Sequence, residues 1–193
     1  MIKNFKFIAL VIFVLALGIF LGACEADSEL ASKKSNDSES IARQNREDKI
    51  DNTLNRGLEV GARIPEFELT KSDGAKVSDK TLEGNPAVLV FWSLYCSKCK
   101  KETPAVNKIT AKFSRKGVEI VGINIGETRE EIEKGIKSFG ISYPVAADPN
   151  KKVMKKFGAI GTPTIVFVDK TGKVKYYGNK LPEDSERILD SLT

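Results

Sequence analysis

Ala87-Val88-Leu89-Val90-Phe91-Trp92-Ser93-Leu94-Tyr95-Cys96-Ser97-Lys98-Cys99 decides the fold of this chain. Its first six residues are continuously apolar and rich in β-branched and aromatic side chains. A strand covered on both faces has that composition. Ser97 to Arg115 follows with Val106, Ile109 and Phe113 at helical spacing, so a buried strand turns into a helix at the two cysteines. A C-x-x-C at such a junction favours redox chemistry over metal binding.

The rest of the composition narrows the choice. The 193 residues include three cysteines and no histidine. Ser-His and Cys-His nucleophile pairs, His-ligated metals and His proton shuttles are therefore excluded. Two thiolates suit a soft ion such as Cu(I), but a structural zinc site would lack two of its four usual ligands, so no metal or other cofactor is expected. A net charge of +5 is spread along the chain without the basic and aromatic interleaving of nucleic-acid binders.

Outward from the cysteines, strands and helices alternate. Phe67 to Leu69 reads as a half-buried strand, and Ser72-Asp73-Gly74 as a turn. Val77 and Leu82 continue a small hairpin or loop. Val118 to Ile125 is a second core strand, and Glu127 to Phe139 a helix closed by Gly140. Tyr143 to Ala146 reads as a short strand and Asn150 to Phe157 as a short helix. Thr164 to Val168 and Val174 to Tyr177 form a hairpin around Asp169-Lys170-Thr171-Gly172-Lys173, and Ser185 to Leu192 is the last helix. This order gives an α/β domain over 58–193, with a mixed sheet between helices on both faces.

The N-terminus reads differently. Lys3 and Lys6 precede an apolar run from Ile8 to Leu21 that is short for a membrane span and suits a secretory signal. Leu21-Gly22-Ala23-Cys24 resembles the bacterial lipobox. That resemblance implies cleavage after residue 23 and lipidation of Cys24, a stable anchor when several acyl chains are attached. Residues 24–57 are Ser-, Asp-, Glu-, Asn- and Lys-rich and read as a solvated tether, with a marginal helix at Ile41 to Leu54 as one option. The domain is then expected on the outer side of a bacterial membrane, where disulfides persist.

Trp92-x-x-x-Cys96-x-x-Cys99-Lys100-x-Glu102, followed by Gly161-Thr162-Pro163-Thr164 before the hairpin, is similar to the thioredoxin fold. Gly61 to Phe67 and the long stretch between the cysteines and Pro163 resemble the TlpA/ResA-type branch of exported thiol-disulfide oxidoreductases. The resemblance covers about Val60 to Leu181. It implies an N-terminal extension, an insertion between the C-x-x-C helix and the Pro163 strand, and a cis Thr162–Pro163 peptide facing the cysteines. It also implies electrons arriving from a membrane-embedded thiol carrier and exported disulfide proteins such as apocytochrome c as substrates; the chain is expected to be a monomer. Tyr95 stands where that branch usually has Trp.

The residues fit thiol–disulfide exchange, which needs an attacking thiolate and a resolving thiol. Cys96 at a helix N-terminus is the expected nucleophile, because unpaired N–H groups and the helix dipole favour its anion. Cys99 is the expected resolving thiol. Glu102 lies one turn beyond it, and the resemblance implies a buried carboxyl that shapes thiol pKa values and moves protons to or from Cys99. Thr162 and Pro163 are expected to bind substrate, with Trp92 and Tyr95 walling the site. Pro104 is expected to kink the helix. Two other readings remain. A peroxidase of the peroxiredoxin type would need Pro and Thr where Leu89 and Ser93 stand. A Sco-like copper chaperone would need a longer cysteine spacing and a histidine.

Overall fold

The computed structural model describes residues 57–193. The signal segment, Cys24 and nearly all of the tether lie outside the described residues. Among those that are described, no helix is long and apolar enough to cross a membrane.

Five strands make the main sheet: β3 (Ala87–Trp92), β4 (Glu119–Ile125), β5 (Val145–Asp148), β6 (Thr164–Val168) and β7 (Val174–Gly178). Their order is β5-β4-β3-β6-β7, so the strand leading to the cysteines is central. It pairs in parallel with β4 and antiparallel with β6. This is the mixed sheet of the thioredoxin fold. Helices α2 (Ser97–Phe113), α3 (Arg129–Phe139), α4 (Lys152–Lys156) and α5 (Ser185–Asp190) complete the layers. Between α2 and the Pro163 strand lie β4, α3, β5 and α4, and β5 extends the sheet at one edge.

All six residues of β3 are buried. The pleat sends alternate side chains to opposite faces. Ala87, Leu89 and Phe91 join one core layer with Val121, Ile123, Phe157 and Val166. Val88, Val90 and Trp92 join the other, with Cys99, Val106, Ile109 and Phe113 from α2. One strand thus anchors both cores, which fixes the position of the turn that follows it.

The N-terminal extension carries a small hairpin, β1 (Glu68–Thr70) with β2 (Lys76–Ser78), and a one-turn helix, α1 (Asp79–Leu82). Its flanks cover both edges of the main sheet. Gly61 N donates to Val174 O at 2.8 Å, and Ser72 N donates to Val145 O at 2.9 Å. Exposed edges are templates for unwanted strand pairing, and this segment blunts them.

Most expected elements lie within a residue or two of their observed bounds. One shift matters: the helix expected from Glu127 begins at Arg129. Thr128 is its N-cap, in a capping box with Glu131. Glu127 is thereby left in the connection after β4. Helix α2 contains Pro104 and runs on to Phe113, and Thr103 Oγ1 donates to the Cys99 carbonyl at 2.9 Å.

Candidate functional site

Cys96 and Cys99 are joined by a disulfide, with their Cα atoms 5.2 Å apart. Cys96 is the N-cap of α2. Its Sγ accepts a hydrogen bond from Cys99 N at 3.0 Å. That N–H is one of the unpaired donors of a helix start, and on reduction it faces a sulfur able to carry negative charge. The two sulfurs differ in access. Cys96 is half-buried, whereas Cys99 is 4 % exposed. Cys96 is thus the more accessible of the two.

The Thr162–Pro163 peptide is cis. Lys98, from between the two cysteines, shares a cleft of about 420 Å³ with Ile160, Gly161, Thr162, Pro163 and Tyr177. Pro163 is buried and Thr162 half-buried. Among the described residues no backbone hydrogen bond engages Thr162, so its peptide groups are available to another chain. Tyr95 and Ile160 are 76 % and 83 % exposed, two of the three large apolar side chains so placed among the described residues. One directly precedes Cys96, and the other lies two residues before Thr162.

Glu102 lies on α2 as its spacing from Cys99 requires. It is half-buried, and its Oε2 accepts a hydrogen bond from Leu181 N at 2.9 Å. The carboxylate is thus fastened to the loop after β7. Burial, and then the Glu102 charge, raise the pKa of the nearby Tyr176 hydroxyl.

Trp92 is a correction to the sequence reading. At 1 % exposure it does not wall the site. Its position on β3 sends the indole into the core under α3. There its ring centroid lies 5.8 Å from that of Phe139 and packs over Gly122 and Gly135. Tyr95 does stand at the surface, and its hydroxyl donates to Glu131 Oε1 at 2.9 Å. That bond and the Glu131 charge raise the phenol's pKa.

Glu127 has a place at the site that sequence reasoning missed. It is 9 % exposed and bound to the loop that precedes Cys96. One signal could have found it: it lies just past Gly126 at the C-terminal end of a parallel strand, where functional residues of α/β sheets gather. Among the described residues no group of three or more His, Cys, Asp or Glu side chains is placed to hold a metal ion.

A family model described as the AhpC/TSA family matches residues 60–177. The thiol-disulfide oxidoreductase ResA of Bacillus thuringiensis subsp. konkukian (strain 97-27) is 33% identical over 143 residues, covering 73% of this chain and 83% of that protein. ResA of Bacillus subtilis (strain 168) is 32% identical over 117 residues, 61% of this chain and 65% of that one. Among solved structures, a Chlorobium tepidum chain assigned as the thiol:disulfide interchange protein DsbE superposes with a TM-score of 0.63 at 28% identity. That match covers 70% of this chain and 99% of the other. A thiol:disulfide interchange protein from Bacteroides sp. gives 0.59 at 27% identity, over 69% and 88%.

Proposed function

The chain belongs to the AhpC/TSA family, as a ResA-like thiol-disulfide oxidoreductase of the thioredoxin fold, and from that premise we propose its task. It works on the outer side of a bacterial membrane, tethered through a lipidated Cys24, and reduces disulfides of exported proteins such as apocytochrome c. A membrane-embedded thiol donor returns it to the dithiol form.

The observation that carries this reading is the unequal access of the two sulfurs at one helix start. In the reduced protein the Cys96 thiolate attacks one sulfur of a substrate disulfide. A mixed disulfide forms, and the other substrate sulfur leaves as a thiolate. Cys99 loses its proton and attacks Cys96 Sγ. The second substrate sulfur then leaves, and the Cys96–Cys99 bond forms. Two electrons pass to the substrate, whose two thiolates take up two protons. Glu102, one helical turn from Cys99, receives the Cys99 proton in the resolving step. The substrate backbone lies along Thr162, with Pro163 beneath it and Tyr95 and Ile160 at the flanks. Peroxidase chemistry gains nothing from the site: Leu89 is a core residue and Ser93 is bonded to Glu127.

Cys99→Ser tests the reading. It leaves Cys96 able to attack but removes the thiol that releases the product. Covalent adducts with exported proteins should accumulate, vanish on adding Cys96→Ser, and be reversed by reductant. If no Cys96-dependent adduct forms, the exchange reading fails. The couple's potential tests the direction: a value near thioredoxin's, ~−270 mV, fits a reductant, and one near DsbA's, ~−120 mV, overturns that polarity.

A further inference from the structure

Ser93, Leu94 and Tyr95 connect β3 to Cys96, and each is bonded to an acidic side chain from the segment after β4. Ser93 Oγ donates to Glu127 Oε1 at 2.7 Å. Leu94 N donates to both Glu127 oxygens, at 2.8 and 3.0 Å. Tyr95 reaches Glu131 through its hydroxyl at 2.9 Å. The bonds then pass along the loop. Tyr95 N donates to Ser93 Oγ at 3.2 Å, and Cys96 N donates to Ser93 O at 3.1 Å. Below, Asn124 Nδ2 donates to Glu127 Oε2 at 2.6 Å, and Asn124 is fully buried beside Trp92 in the parallel β3–β4 register.

We propose that Glu127 is a positioning residue for the exchange reaction, holding the β3–α2 loop so that Cys96 keeps its sulfur at the helix N-terminus. This rests on the exchange reading above. Glu127 does not touch the reacting sulfurs in this structure; it acts through Ser93, whose carbonyl holds the Cys96 amide. The chemistry of its partners explains a carboxylate here. The Leu94 amide and the Asn124 amino group can only donate, so they need an acceptor oxygen on each side. An acid offers two such oxygens, and burial lets few waters replace them. An uncharged amide retains most of this arrangement, because its nitrogen can face Ser93 Oγ, which also accepts. A methyl group retains none of it. The loop would then lose the bonds that Ser93 Oγ and Leu94 N make to the carboxylate and keep the Tyr95–Glu131 bond at the surface, while Cys96 and Cys99 remained chemically intact.

The test compares full-length wild type, Glu127→Ala and Glu127→Gln in reduction of insulin disulfides with dithiothreitol as electron source, alongside the alkylation rate of reduced Cys96 at fixed pH. Glu127→Ala should lose about 10- to 100-fold in kcat, the scale of effect from misplacing a reacting group by about 1 Å. Its KM should stay within about threefold, since the substrate cleft is intact, and Cys96 alkylation should slow with kcat. Glu127→Gln should recover most of both rates. A folded Glu127→Ala whose kcat and alkylation rate equal those of the wild type overturns the proposal. If Glu127→Ala does not fold, Ser93→Ala serves instead, because it leaves the bonds from Glu127 to Leu94 and Asn124 and removes the two hydroxyl bonds, to Glu127 and from Tyr95 N, that tie the rest of the loop to the carboxylate. It should lower kcat about three- to tenfold, and an unchanged kcat overturns the proposal. A wild type that reduces no protein disulfide defeats the exchange reading itself, which equal rates in an active pair do not.

Discussion

Gly135 on α3 lies under the Trp92 ring: a Cβ built there would fall 2.6 Å from Cζ3 and 2.7 Å from Cη2. The indole is held on its other side by Gly122, where a Cβ would fall 3.0 Å from Nε1. In an open helix, Gly→Ala would stabilise by about 1 kcal/mol. Here the ring cannot yield, and overpacking a buried site costs about 1–3 kcal/mol. Gly135→Ala should therefore destabilise the domain by about 1–2 kcal/mol, seen as a lower urea midpoint with an unchanged slope. A higher midpoint would show that the Trp92 pocket can relax. Nothing local in the sequence marks either glycine, because the ring that requires them comes from another strand. The same limit hid the direction of Trp92. An apolar run buried on both faces has the right length and composition, yet no polar residue marks which way its last side chain points. Cys96 and Cys99 were legible because spacing and position define them locally. Glu127 was not, since its burial depends on donors more than 30 residues away in the chain.

The hairpin of β6 and β7 shows the reverse case at the level of an element, where local chemistry sets both the turn and its stability. Asp169 Oδ1 accepts from Thr171 N at 2.8 Å, Thr171 Oγ1 at 2.7 Å and Lys173 N at 3.0 Å. Lys175 Nζ lies 3.1 Å from Oδ2. Burial works against the charge, but the donors outweigh it and hold the carboxyl well below the usual carboxylate range. A depressed folded-state pKa has one sign: the stabilisation is complete above the unfolded value near ~3.9 and is lost as pH falls through the folded value. Asp169→Asn should cost about 1–2 kcal/mol at pH 7 through its weakened donors. The variant's stability should also fall less steeply than wild type below about pH 4, in urea titrations at each pH. An equal slope in both proteins would remove Asp169 from the acid response. This turn was readable because Asp-x-Thr-Gly bonds its own backbone. The start of α3 was less so, since Glu127 and Thr128 are both plausible first-turn residues and only the Thr128–Glu131 capping box decides between them.

For the molecule as a whole, the sheet order places the cysteine pair at the end of the central strand, and the N-terminal extension seals the sheet edges around it. The segment that leads into this extension is the proposed tether. On that proposal the full-length chain sediments with membranes, and Cys24→Ala releases it to the soluble fraction while the purified variant keeps the wild-type exchange rate. If Cys24→Ala stays in the membrane pellet, the apolar N-terminal stretch rather than a lipid is the anchor. The α/β class and the sheet were legible because strands and helices alternate with clear breaks. The edge-sealing contacts were not, because they join backbone to backbone without a side-chain signature. The burial of Cys99 at 4 % exposure has a consequence for traffic. On the proposed exchange reading, a donor delivering electrons and a client receiving them would dock at one sulfur from one direction, and so would not be bound together. Turnover is then strictly alternating, and an excess of either partner occupies the only berth and starves the other.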